Sequence, residues 1–268
     1  MSVPFRFSCQ TYSWQMSIDR YRGEVAHMTS VAGSAGFAGF EPELVMLGDN
    51  WSIARLRDDL DAAGLALAAL VLAQGWRGDE ESEAERATAA RAIEAAAALG
   101  ARLVLVPLPG PDRADLRRRQ TAAIGCMDSV ARRAADSGVA ATFHPNSPAG
   151  SVFRTAEDYA LMRELLPAHI GYTPDVGHIA RGGMDPLSVL RDWRERVDHV
   201  HIKDVAADGT WAETGRGVID IPAVLDYLAD TGYDGWVTFE DESPAAEADP
   251  DAATIRNGLW TTAWEDAR

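Results

Sequence analysis

The chain predicts an α/β fold of the closed (β/α)8 barrel type, in one domain spanning residues 1–268. Three observations predict it. Short apolar runs alternate eight times with longer helical patterns. The length of 268 residues is close to the roughly 250 that such a barrel needs. The runs are apolar without strict alternation, as in strands covered on both faces.

The predicted strands are residues 5–10, 39–43, 65–72, 102–108, 139–144, 170–175, 197–203 and 235–240. Residues 79–99, rich in Glu, Ala and Arg, read as a helix stopped at Gly100, and residues 113–137 as one stopped at Gly138. Residues 155–166 open on a capping-box pattern, Thr155-Ala156-Glu157-Asp158. Asp220-Ile221-Pro222 supplies an N-cap with Pro in the first turn, for a helix that stops at Gly232. A closing helix covers about 252–265. The acidic, Pro/Ala-rich stretch 241–253 reads as a loop. An open doubly wound sheet is the alternative fold. It would usually carry a glycine-rich phosphate loop after its first strand, where this chain has Thr11-Tyr12-Ser13-Trp14-Gln15.

A formal charge of −16 repels a phosphate polymer, so no nucleic-acid partner is expected. No apolar run approaches the roughly 18 residues of a membrane span, and the N-terminus carries no signal-peptide pattern. A cytoplasmic location is the expectation. Cys9 and Cys126 form no CxxC pair and read as reduced structural thiols. The cations are 24 Arg and one Lys, Lys203. A lone Lys on that background marks a position that needs a compact point charge rather than a planar fork.

Catalytic groups of a barrel sit at the C-terminal ends of its strands. Those ends collect Glu41, His144, Asn146, Asp175, His178, His201, Lys203, Asp204 and Glu240. Apolar strands that end on carboxylates and imidazoles suit a metal, because an unpaired buried carboxylate is costly and an ion neutralises it. Mixed imidazole and carboxylate donors fit one divalent ion: Mn2+ first, with Co2+, Mg2+, Fe2+ or Zn2+ as alternatives. Each residue also has a plain structural reading. Asp175 could be a turn or cap residue, His201 a hydrogen-bonded core histidine, and Glu240 part of a solvated acidic run. Of Glu41 and Glu43 at the end of the second run, Glu41 is favoured as the inward one. Trp14 and Trp76 either wall a pocket or pack the core.

In these residues the sequence resembles the xylose isomerase-like TIM barrel superfamily of sugar phosphate isomerases and epimerases, inosose dehydratases and dehydroshikimate dehydratases. The matching pieces are Gly36-Phe37-Ala38-Gly39-Phe40-Glu41, His144-Pro145-Asn146, Asp175-Val176-Gly177-His178, His201-Ile202-Lys203-Asp204 and Gly235-Trp236-Val237-Thr238-Phe239-Glu240. The resemblance implies metal ligation by Asp175, His201 and Glu240, and proton transfer by Glu240, His144 or Lys203. It implies that Glu41, His144, His178 and Lys203 line the substrate or the shell behind it, and that the chain forms a homo-oligomer; Asn146, Trp14 and Arg216, the last in Gly215-Arg216-Gly217 where relatives often carry an acidic residue, are further candidates to face a small polyhydroxylated substrate. Many relatives carry a ligand Glu where this chain has Thr142. That departure removes one of two proton carriers and moves weight from a two-glutamate epimerase toward elimination.

The leading expectation is a metal-dependent isomerase or epimerase that abstracts a proton next to the carbonyl of a keto-sugar or keto-cyclitol. A dehydratase stands close behind it. A barrel that has lost full metal ligation is a further alternative, and an abasic-site endonuclease is disfavoured by the charge and the few His ligands.

Overall fold

The computed structural model describes residues 3–268. Its strands are β1 (Arg6–Gln10), β2 (Gly39–Glu41), β3 (Ala66–Leu67), β4 (Ala69–Gln74), β5 (Arg102–Pro107), β6 (Ala141–Phe143), β7 (Gly171–Tyr172), β8 (His199–Ile202), β9 (Asp204–Val205), β10 (Trp211–Ala212) and β11 (Trp236–Phe239). The described residues divide into two compact units. One holds the chain up to Ala68 together with Asp198–Arg268, and the other holds Ala69–Val197.

The first unit is built on a parallel sheet in the order β3-β2-β1-β11-β8. Its register aligns Ser8 with Thr238 and Thr238 with His201, and sets Glu41 beside Gln10. Residues two apart share a face of a strand, so His199 and His201 project to one side. Gly39 is required by a close approach: a Cβ there would lie 2.6 Å from the Trp236 ring. The closing helix, Pro250–Ala267, is capped by Asp249, whose side chain accepts from the Ala252 N–H.

The second unit has a parallel sheet in the order β4-β5-β6-β7. Leu70, Leu72, Val104, Leu105 and Phe143 are fully buried, which is why these strands read as unbroken apolar runs. The helix Glu83–Leu99 starts in a reciprocal capping box between Ser82 and Glu85 and ends at Gly100, whose φ of +69° suits glycine. Thr155 and Asp158 form a second capping box ahead of Ala156–Leu165.

The structure departs from the sequence expectation at several points. The predicted strand 65–72 divides at Ala68 into β3 and β4, which belong to different sheets. The strand predicted over 170–175 is only Gly171–Tyr172. Pro174 has no N–H to give a ladder, and Asp175 caps the next helix, Val176–Arg181. The helices predicted from residues 79 and 113 begin at Glu83 and Leu116. The stretch read as a loop over 241–253 contains the helix Pro244–Ala248, with Ser243 as its cap, and the first turn of Pro250–Ala267. Two short helices, Tyr12–Gln15 and Ile18–Tyr21, follow β1, and β9 pairs antiparallel with β10.

Candidate functional site

The first unit gathers buried charge at the C-terminal ends of β2, β8 and β11. His201 Nε2 lies 2.7 Å from Glu41 Oε1, and His201 Nδ1 lies 3.1 Å from Glu240 Oε2. On the other oxygen of Glu41, His199 Nε2 approaches to 2.5 Å. Thr238 Oγ1 is 3.0 Å from His199 Nε2, donates to Glu41 Oε2 at 3.2 Å and pairs with Ser8 Oγ at 2.6 Å. Glu41, His199 and His201 thus form one buried group whose ligand-capable atoms lie within 4.8 Å of one another.

Charge follows from this geometry. Burial works against an ionised Glu41, yet the His201 and His199 imidazoles outweigh it and hold the carboxyl well below its usual range. Burial likewise opposes a charged His201, but the Glu41 and Glu240 carboxylates win and push its pKa up to about 10.

Lys203 is fully buried. Its Nζ donates to Glu240 Oε1 at 2.7 Å and to Glu242 Oε1. The ammonium also stands 4.8 Å from the centre of the Trp211 ring and 5.6 Å from that of Tyr12. A compact cation between two carboxylates and two ring faces is a place where a guanidinium fork would not fit, which accounts for the one Lys of the chain. Burial, with Glu242 and Glu240 nearby, pushes the Tyr12 hydroxyl up to about 12.

Glu43 lies just past the end of β2, so strand alternation does not decide its direction. Gln15 Nε2 donates to its Oε2 at 2.9 Å, and its backbone N–H donates to Thr11 Oγ1 at 3.0 Å. Burial, opposed by the Gln15 bond and aided by Glu240, raises its pKa to about 7.

In the second unit the strand ends bring together His144, Asp175 and His178. Asp175 Oδ1 accepts from the His178 backbone N–H at 2.7 Å, and its Oδ2 lies 3.5 Å from His144 Nε2. One oxygen therefore caps a helix while the other faces an imidazole. The Ser147 backbone N–H donates to His178 Nδ1 at 3.2 Å, which places the proton of a neutral His178 ring on Nε2. Thr142, fully buried, pairs its hydroxyl with that of Thr173 at 2.9 Å.

Other residues expected to face substrate have partners within the protein. Trp14 is fully buried and its ring N–H donates to Asp251 at 2.7 Å. Asn146 donates to the Pro107 carbonyl at 3.1 Å and accepts from Ser151. Glu41, expected to touch substrate, is fully buried with both oxygens held by imidazoles. Arg216 is exposed. Asp204 Oδ2 accepts from the N–H groups of Gly215 and Gly217 at 3.0 and 2.8 Å, and its Oδ1 from Val205 and Ile219. It ties down the loop that carries Arg216. Sequence reasoning passed over Glu242, Tyr12 and Ser147. Ser147 and Glu242 lie in loops and Tyr12 opens the helix Tyr12–Gln15, where strand periodicity gives no signal.

Residues 30–260 match the family described as Xylose isomerase-like TIM barrel. An inosose dehydratase from Lacticaseibacillus casei is 28% identical over 142 residues, covering 46% of this chain and 47% of that protein. The chain spans about half the length of the curated relatives it matches. The structure is similar to that of D-allulose 3-epimerase from Methylomonas sp., with a TM-score of 0.75, 19% identity and 98% and 99% of the two chains covered. It is also similar to the IOLI protein with a bound zinc atom, at a TM-score of 0.74, 16% identity and 96% of each chain. The chain belongs to the xylose isomerase-like TIM barrel family and has its α/β barrel fold with parallel strands.

Proposed function

We propose that the chain is a divalent-metal-dependent enzyme that removes a proton next to the carbonyl of a small neutral keto-polyol, a keto-cyclitol or keto-sugar, and expels water. The carrying observation is the pair of donors His201 Nδ1 and Glu240 Oε2, 3.1 Å apart and buried. Two ligands on one ion with bonds of about 2.0–2.2 Å stand about that far apart, so the residues fit a metal. His201 and Glu240 would hold the ion, and the family resemblance adds Asp175 as a further ligand. Mn2+ is the first candidate from the imidazole and carboxylate donors. When bound, the ion supplies Lewis-acid stabilisation of charge developing on the substrate carbonyl oxygen.

The residues of the chain divide the remaining work. Glu240, oriented by the Lys203 ammonium at 2.7 Å, takes the proton. The departing hydroxyl leaves as water with the proton that Glu240 has taken, and His178, whose ring N–H is on Nε2, hydrogen-bonds that hydroxyl; His144 stands beside His178, with ring centres 5.6 Å apart. Glu41, Glu43, Glu240 and Glu242 outnumber Lys203 and His201 in the first unit, so an anionic substrate group would be repelled there. That favours a neutral polyol over a carboxylate or phosphate ester. The same proton abstraction followed by return of the proton gives isomerisation, the outcome placed first from sequence. Thr142 in place of a second carboxylate, and the likeness to an inosose dehydratase, favour loss of water.

Elemental analysis of the wild type and of Asp175→Ala/Glu240→Ala, purified without added metal and then offered Mn2+, tests the metal. One ion per chain in the wild type and none in the variant is expected, and no ion in either overturns the reading. NMR of inososes and ketoses with the Mn2+-loaded protein then reads the loss of water.

A further inference from the structure

We infer that Glu41 is the positioning residue of the metal centre: its carboxylate, set against His201 Nε2, turns Nδ1 of that ring toward Glu240 as the ligand atom. This rests on the metal reading above and deepens it.

Three observations carry the inference. First, the two ring nitrogens of His201 face two different carboxylates, Glu41 Oε1 at 2.7 Å and Glu240 Oε2 at 3.1 Å. A metal-bound imidazole commonly donates its other N–H to a carboxylate, which fixes both tautomer and ring plane. Glu41 is fully buried and touches the ring from the side away from Glu240. Second, Glu41 is itself fixed. Its Oε2 is held by His199 at 2.5 Å and by the Thr238 hydroxyl at 3.2 Å, and Thr238 is braced by Ser8 at 2.6 Å. These residues sit on β2, β8, β11 and β1 of one sheet, with Ser8, Thr238 and His201 in register. Third, the contacts of 2.5 and 2.7 Å that Glu41 makes with His199 and His201 are shorter than the spacing of two ligands on one ion, so an ion held by these three would have to spread them apart, whereas His201 Nδ1 and Glu240 Oε2 already stand at that spacing.

The carboxylate faces both imidazoles, one on each oxygen. A glutamine would accept from one ring and present its NH2 group to the other.

The test uses Zn2+ and Co2+ as probes. In Zn2+-loaded wild type labelled with 15N-histidine, the expected spectrum shows His201 protonated on Nε2 and not on Nδ1. Glu41→Gln is expected to weaken Co2+ binding by about 10- to 100-fold and to shift the visible Co2+ spectrum, with an unchanged far-UV circular dichroism spectrum. Wild-type affinity and spectrum in Glu41→Gln, or a proton on His201 Nδ1 in the Zn2+ form, overturns the inference. If Glu41→Gln does not fold, the wild-type spectrum decides alone. Failure of the wild type to take up either ion overturns the metal reading itself, a result distinct from a loaded site with the other tautomer.

Discussion

Replacing Glu43 by Gln is expected to stabilise the metal-free protein at alkaline pH and to leave it nearly unchanged in acid. The folded protein raises the Glu43 carboxyl from 4.5 to about 7, burial being the largest cause and the Glu240 charge a contributor. A raised carboxyl favours its protonated form in the fold. Its contribution is therefore fully present below pH 4.5 and is lost as the pH climbs through 7. Each pKa unit corresponds to about 1.4 kcal/mol. The full shift would be worth about 3 kcal/mol, and the part of the side chain left in water reduces this to about 2 kcal/mol. The substituted amide keeps an oxygen for the Gln15 N–H, so the 2.9 Å bond survives and only the ionisation is removed. The assay is urea unfolding of both proteins in chelator at pH 5 and pH 8.5. The advantage of the variant should grow by about 2 kcal/mol between the two, or by roughly 4–8 °C in Tm. Parallel stabilities at both pH values would refute the reasoning. Added metal should shrink the effect, because an ion on Glu240 cancels the charge that helps raise Glu43.

Two further perturbations probe the neighbouring groups. Lys203→Met leaves Glu240 and Glu242 facing each other without their shared cation; urea unfolding at pH 7 should show a loss of about 3–5 kcal/mol, and unchanged stability would mean that the cation is not what holds these carboxylates. Asp204→Ala removes the acceptor of the Val205, Gly215, Gly217 and Ile219 N–H groups; a loss of about 2–4 kcal/mol and faster tryptic cutting after the exposed Arg216 are expected, read by denaturation and by mass spectrometry of the fragments.

The parts of the fold legible in the sequence are those with local chemistry. Buried parallel strands must be apolar on both faces, so the runs around Val71, Val104 and Val200 announced themselves. Ser82 with Glu85, Thr155 with Asp158, and Gly100 mark helix ends by satisfying backbone groups the helix leaves open. The division at Ala68 had no such mark, because the apolar run 65–72 carries no Gly, Pro or polar residue at the break. Ser243-Pro244 and Asp249-Pro250 are N-cap and first-turn pairs and were readable, but the acidic composition around them suggested a loop. The chemical residues were legible where a strand delivers them, as with His201 and Glu240. Glu43 was misjudged: residues two apart share a strand face, so alternation never set it against Glu41, and β2 ends at Glu41 in any case. Glu242 lies beyond β11, and its place against Lys203 depends on tertiary packing.

Thr142 bears on stereochemistry as well as on metal binding. Inverting a carbon centre through its carbanion takes two proton carriers on opposite faces, one to remove and one to return. Thr142 and Thr173 fill the β6 and β7 positions with a closed pair of hydroxyls, 2.9 Å apart and fully buried, and neither hydroxyl ionises near neutral pH. On the proposed reading a carboxylate from β6 is missing as the second carrier, and Glu240 would both take and return the proton on one face. In D2O, substrate recovered before the reaction is complete should carry deuterium at the carbon next to the carbonyl with its configuration retained, alongside product that has lost water. NMR of the recovered substrate reads both label and configuration. Deuterium in an inverted epimer would require a carrier on the opposite face, and the one-carboxylate account of this site would fall with it.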